Sequence, residues 1–212
     1  FLAMKKNIEL LLVNSYAPRQ RSISEASLES ELAIIRTYLE KRKIGVEVID
    51  DQRQGLVEEG TPQWCRKLLY RLTKLQLKFF KHKAVAAFLF LAAWPLHALA
   101  LQHRRDYMSR RLEQIVEKVK KERIPFLGIK LWHGDAFSWS RELAMAVRRE
   151  SPETVIVVIG TLVKIYGEIL AADDALDLTI MGQGEEILEK LISLRRTVPL
   201  KDEFLAGVDK HF

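Results

Sequence analysis

A chain of 212 residues with 48% hydrophobic residues is long enough for one sizeable domain, or a domain with an appendage, around a real core. Its single cysteine, Cys65, excludes internal disulfides and cysteine-cluster zinc or iron–sulfur sites within this chain, and fits a reducing compartment. The net charge of +6 belongs to one segment: from Gly60 to Arg105 there is no Asp or Glu, but nine cations (Arg66, Lys67, Arg71, Lys74, Lys78, Lys81, Lys83, Arg104 and Arg105), whereas elsewhere 28 acidic residues outnumber the remaining 25 of the 34 basic ones.

Residues Phe1–Ala3 precede Met4 and are not expected to belong to the fold. Ile8–Val13 is an apolar run of strand length, broken by Asn14-Ser15-Tyr16-Ala17-Pro18. A polar loop follows. A helix is expected from about Ser24–Leu28 to Lys43, with Leu28, Leu32, Ile35 and Leu39 at helical spacing and Gly45 as its stop. Val46–Ile49 is a short strand ending at Asp50-Asp51, which makes a β-α-β unit with a right-handed crossover.

The regular alternation is then interrupted. Trp64–Lys83 reads as a basic amphipathic helix with Leu68, Leu69, Leu72, Leu75 and Phe79 on one side. Ala84–Gln102 is almost wholly apolar, with Pro95 and His97 as interruptions, and Tyr107–Arg123 is an ordinary amphipathic helix. Pro125–Trp132 resumes the sheet and Phe137–Glu150 is a helix. Pro152–Leu194 then holds a β-branched buried strand ending in Gly160, a helix, a second strand ending in Gly182 and Gly184, and a last helix. Thr197–Phe212 shows no strong pattern.

Five strands alternating with helices imply an α/β fold: a flavodoxin-like, doubly wound, five-stranded parallel sheet of order 2-1-3-4-5, with a helical insertion (61–105) between the second strand and the third crossover helix. Ligands of such sheets bind outside the carboxyl ends of the strands, near the switch point between strands one and three. The candidate site is therefore Asn14, Ser15 and Tyr16; Lys130, Leu131, Trp132, His133, Gly134 and Asp135; Gly160, Thr161 and Leu162; and Gly182, Gln183, Gly184 and Glu185. The glycines allow sharp turns and close approach of a bulky ligand, and the helix N-termini behind them offer unpaired N–H groups. There is no P-loop and no G-x-G-x-x-G after the first strand, which disfavours ordinary nucleoside triphosphate or dinucleotide binding. His133 beside Asp135 has two readings, a metal-ligand or acid–base pair and a surface loop with a helix-capping Asp135.

Asn14 after the first strand, the run VIGTLVKIYGEIL and the run DLTIMGQGEEIL together resemble the N-terminal cobalamin-binding domain of cobalamin-dependent radical SAM enzymes. Gly160-Thr161 stands where that family has a Gly-Gly or similar pair, Gly167–Leu170 where it has a "pe-iL" helix, and Gly182-Gln183-Gly184-Glu185 where it has G-E-G-E. The resemblance covers roughly residues 5–50 and 107–195. It implies a cobalamin whose corrin ring lies on the carboxyl edge, above Trp132 or His133, with its nucleotide tail near the Gly160 and Gly182–Glu185 turns. His133 would be the candidate axial ligand of cobalt, although most of the family binds cobalamin with no protein histidine on the metal. The chain departs from the pattern at Thr161 and Gln183, which puts tail packing in doubt, and it lacks the D-x-H-x-x-G signature of methionine-synthase-like cobalamin domains.

The catalytic half of such an enzyme carries a C-x-x-x-C-x-x-C loop for its iron–sulfur cluster, which a chain with one cysteine lacks. The resemblance thus implies that S-adenosylmethionine and the cluster belong to an absent downstream radical SAM domain. Residues 5–196 would then be the binding domain and 197–212 the start of a linker. A cytoplasmic location follows, peripheral to the membrane if the insertion meets lipid. For 61–105 the open readings are a hairpin buried against the domain, a second copy or the absent domain, and an interfacial helix on anionic lipid. Ala84–Gln102 reaches the roughly 18 residues at which a bilayer span becomes thinkable, but a span would divide one parallel sheet across two sides. A nucleic-acid partner is disfavoured, since no binding module or regular aromatic-basic interleave is present. The rival functions are a flavodoxin-like interaction module without cofactor, and a small enzyme using His133 and Asp135.

Overall fold

The computed structural model describes residues 7–15, 30–50, 60–132, 134–181 and 184–209. The elements, in chain order, are β1 (Leu10–Asn14), α1 (Ser30–Lys41), β2 (Val46–Ile49), α2 (Gln63–Lys78), α3 (Lys83–Glu122), β3 (Phe126–Lys130), α4 (Asp135–Glu150), β4 (Val155–Ile159), α5 (Thr161–Ala171), β5 (Leu178–Thr179), α6 (Gly184–Thr197) and α7 (Lys201–Ala206). The expected start of α1 near Ser24–Leu28 falls outside the described residues.

The chain forms two compact units, residues 1–53 with 112–212, and residues 54–111. The first is the α/β domain. Its five strands are all parallel in the order β2-β1-β3-β4-β5, as the alternation of elements predicts. β1, β3 and β4 are buried along their whole length, which explains why they read as continuous apolar runs and not as alternating ones. The connection from β1 to β2 steps one way along the sheet, and those from β2 to β3, β3 to β4 and β4 to β5 step the other way. With a constant right hand, the two directions put helices on opposite faces. On one face Leu10, Leu12, Phe126, Val155 and Val157 pack with Leu32, Ile35 and Leu39 of α1 and Leu188, Leu191 and Ile192 of α6. The alternate strand residues, among them Leu11, Val13, Leu127 and Ile129, are equally buried and point to the other face.

Three details differ from the sequence-based expectation. Ala84–Gln102 and Tyr107–Arg123 belong to one helix, α3, which keeps Pro95 inside it. Nothing in His103–Asp106 breaks a helix, so the two patterns join. Gly45 does not end α1: Lys43 takes the positive φ of 62° there, and Gly45 is required because a Cβ would lie 1.8 Å from the Asn7 carbonyl oxygen. The patternless stretch after Thr197 contains α7, whose Phe204 is buried edge-on against Phe126 in the core.

The second unit holds α2 and the part of α3 up to Arg111. Cys65 of α2 is fully buried, its thiol 3.7 Å from the Leu96 carbonyl oxygen of α3. Burial pushes this thiol's pKa up, so it packs as an unreactive group.

Candidate functional site

Because all five strands run the same way, β1, β3, β4 and β5 end on one edge, and β1 and β3 are the neighbours at the switch point. The register sets Asn14 beside Lys130 and Lys130 beside Ile159, so Asn14, Lys130 and Gly160 come together. From β1 to β5 this edge spans roughly 14 Å, three strand spacings.

The switch point is held by a side-chain network. The Trp132 indole Nε1 donates to Asn14 Oδ1 at 2.8 Å, and Asn14 Nδ2 donates to Asp50 Oδ1 at 2.9 Å, joining the ends of β1, β2 and β3. The buried Ser15 hydroxyl donates to the Lys130 carbonyl oxygen at 2.7 Å. Lys130 is only 7% exposed, and its ammonium pairs with Glu31 of α1 at 3.1 Å while lying 5.2 Å from the centre of the Trp132 ring. A buried ammonium needs such a partner, and the indole face adds a cation–π attraction. Trp132 stays partly exposed, so the switch point presents an aromatic side chain held in place by Asn14 and by the Lys130 ammonium over its ring.

The β4 end reaches the same edge through Gly160, whose φ of 109° and ψ of −179° only glycine adopts readily. A Cβ there would lie 3.3 Å from Lys130 Cγ, so the turn also closes tightly on β3. Leu131 N–H donates to the Ile159 carbonyl oxygen at 3.1 Å and completes that junction.

Beside the edge, Gly134, Phe137, Leu162, Tyr166, Ile169 and Leu170 line an apolar groove of about 320 Å³ between α4 and α5. Non-helical backbone at Tyr166 (φ −122°, ψ 19°) kinks α5 there. Gly134 caps α4, and Asp135 is its first helical residue, so Asp135 adds negative charge to the first turn and does not occupy the cap position.

The expected residues thus divide into groups. Asn14, Ser15, Lys130, Leu131, Trp132 and Gly160 form one connected cluster. Gly134 and Leu162 line the adjoining groove. Gly184 and Glu185 begin α6 after β5, with Gly184 buried against Ile35 and Ile180. Tyr16, His133, Gly182 and Gln183, as well as the side chain of Thr161, lie outside the described residues. Among the described residues no three His, Cys, Asp or Glu side chains are grouped to hold a metal ion.

Sequence reasoning passed over Glu31, Asp50, Phe137 and Tyr166. Asp50 sits at a strand end and was reachable from that position, whereas Glu31 reaches Lys130 only through the packing of α1 on the sheet.

The opposite, amino edge has a cleft of about 350 Å³ whose lining includes Lys120, Glu150, Glu153 and Arg195. These side chains are paired among themselves, Lys120 with Glu150 at 3.0 Å and Arg195 with Glu153 at 3.5 Å. The carboxyl edge, where parallel sheets bind ligands, therefore remains the candidate. No protein-family model, curated protein sequence or solved structure matches this chain.

Proposed function

We propose that the α/β domain is a cobalamin-binding module that serves a radical SAM domain. The observation that carries this reading is the convergence of Asn14, Trp132 and Gly160 on the carboxyl edge at the switch point of a 2-1-3-4-5 parallel sheet. Of the residues in the motifs that resemble the cobalamin-binding family, Asn14 ends β1, Gly160 follows β4 and Gly184-Glu185 open the helix after β5, which supports the reading.

The residues present suit a flat macrocycle lying on the edge. Trp132 offers a fixed aromatic surface whose only polar atom is already engaged by Asn14. Gly134 and Gly160 bring backbone to the edge without side chains, and the groove along Leu162 and Tyr166 is open to an apolar substituent. Trp132, Gly134, Gly160 and Leu162 would hold the ring, with the buried Asn14 and Ser15 positioning Trp132 and Lys130 beneath it and Gly184 and Glu185 toward its tail. When bound, cobalamin supplies a cobalt centre able to carry a methyl group. The chain's own residues bind it, orient it and keep one face from water. S-adenosylmethionine and an iron–sulfur cluster enter only with the partner domain.

Mixing the protein with hydroxocobalamin, desalting it and recording the visible spectrum tests this reading. Retained corrinoid absorbance near one equivalent per chain is expected, and a colourless protein would overturn it.

A further inference from the structure

The helical unit covers one side of α3 and leaves the opposite side, built to the same spacing, in water. The covered stripe is Ala86, Leu89, Ala93, Leu96 and Ala100, all buried or half-buried, and Leu96 meets the buried Cys65 of α2. Ala84, Ala87, Leu91, Trp94 and Ala98 recur at i, i+3, i+7, i+10 and i+14, the spacing of a coiled-coil seam, and all five are exposed. At 3.6 residues per turn this second seam falls on the side of α3 away from the first. Leu91 and Trp94 are 68% and 63% exposed, and Phe88 and Phe90, on the two flanks of the seam, are 70% and 53% exposed.

The chemistry of the seam identifies its occupant. No Asp, Glu, Lys or Arg occurs from residue 84 to 103. Contacts between partners that also exist apart are about as polar as the rest of a protein surface, whereas permanent homodimer contacts resemble a core cut in half. A seam without charges to select a foreign partner is of the second kind. The area agrees. The exposed parts of Phe88, Phe90 and Trp94 alone come to roughly 400 Å², about half of what each partner contributes to a stable interface.

The placement of charge agrees as well. Lys67, Arg71, Lys74 and Lys78 recur at i, i+4, i+7 and i+11 on the side of α2 opposite Cys65, and so face away from α3. A copy docked on the α3 seam leaves both cationic stripes in water and apart from each other. An anionic surface would have to meet the seam and the cations from opposite sides, and lipid imposes no seven-residue spacing. Two-stranded coiled coils usually carry charged residues beside the seam. Phe88 and Phe90 there suit a wider bundle, with two helices from each chain.

We infer that a second copy of this chain docks on the exposed seam of α3, so that two α2–α3 hairpins make a symmetric four-helix bundle. Sedimentation equilibrium of the full chain at micromolar concentration tests it. A particle of twice the 24.5 kDa chain mass is expected. Leu91→Ala with Trp94→Ala should weaken self-association at least about 100-fold, as loss of two central anchors does. Leu91→Glu with Trp94→Glu should give a monomer, with helical circular dichroism unchanged in both pairs. The triple Arg71→Gln, Lys74→Gln and Lys78→Gln should stay dimeric. A monomeric parent, a dimer untouched by both seam pairs, or a dimer lost in the triple variant would each overturn the inference. A monomeric parent that co-sediments with phosphatidylglycerol vesicles would overturn it too, and would assign the seam to lipid. Corrinoid retention does not depend on any of these outcomes, so the two readings fail separately.

Discussion

At the scale of single residues, two positions test the domain without reference to its ligand. Glu9 accepts hydrogen bonds from Arg196 Nε at 2.7 Å and Nη2 at 2.8 Å, and from the Gly45 N–H at 3.3 Å. The Arg196 guanidinium, helped by that N–H, holds the Glu9 carboxyl below its usual range. A lowered folded-state pKa means stability that is present above the unfolded value of about 4.3 and is lost as pH falls through the folded value. Glu9→Gln should therefore cost about 1 kcal/mol at neutral pH, discounted because Arg196 is half exposed, and the gap should close below roughly pH 4. Urea unfolding of both proteins across that range measures it. Gly160 is the second position. Its φ of 109° and the Lys130 side chain behind it make Gly160→Ala destabilising by about 2 kcal/mol. An alanine variant as stable as the parent would show that this turn relaxes freely.

At the scale of elements, α7 shows what sequence pattern cannot reveal. Thr197–Phe212 has no amphipathic period long enough to read, yet Lys201 is 5% exposed and its ammonium lies 2.8 Å from Asp177 Oδ2. It also donates to the Thr154 carbonyl oxygen at 2.8 Å. Asp177 in turn accepts from Arg148 at 2.6 Å and from the Ile156 N–H at 2.8 Å. The pairing is non-local, and only the assembled sheet brings its members together. Asp177→Ala should cost about 4 kcal/mol by leaving Lys201 buried and unpaired, and adding Lys201→Met should recover part of that loss. Denaturant midpoints of the single and double variants measure the coupling. The strands were legible for the opposite reason: Val155–Ile159 is buried on both sides and announces itself as an unbroken β-branched run. The site was legible as positions and not as contacts. Strand ends pointed to Asn14, Trp132 and Gly160, but not to the Trp132–Asn14–Asp50 chain or to the Lys130–Glu31 pair. The merged α3 was missed because its hydrophobic pattern changes across His103–Asp106, from an all-round apolar run to an amphipathic one, although no residue there breaks a helix.

At the scale of the whole molecule, two units carry two kinds of surface. The mildly acidic α/β domain offers the carboxyl edge of its sheet, and the helical unit, without Asp or Glu from residue 60 to 105, offers exposed apolar and cationic side chains. The division accounts for a composition that looks contradictory as a single total. It also predicts independence: Arg71→Gln with Lys74→Gln and Lys78→Gln should leave corrinoid binding unchanged, as judged by the visible spectrum after desalting.

The central claim is that the Trp132 side chain at the β1–β3 switch point receives a corrinoid. Calorimetric titration of hydroxocobalamin into the parent protein and into Trp132→Ala tests it most directly. One site per chain in the parent, and an affinity at least about 10-fold weaker in the folded variant, is the result expected when an aromatic contact of about 1–3 kcal/mol is removed. No heat of binding in the parent, or equal affinity in both proteins, would contradict it.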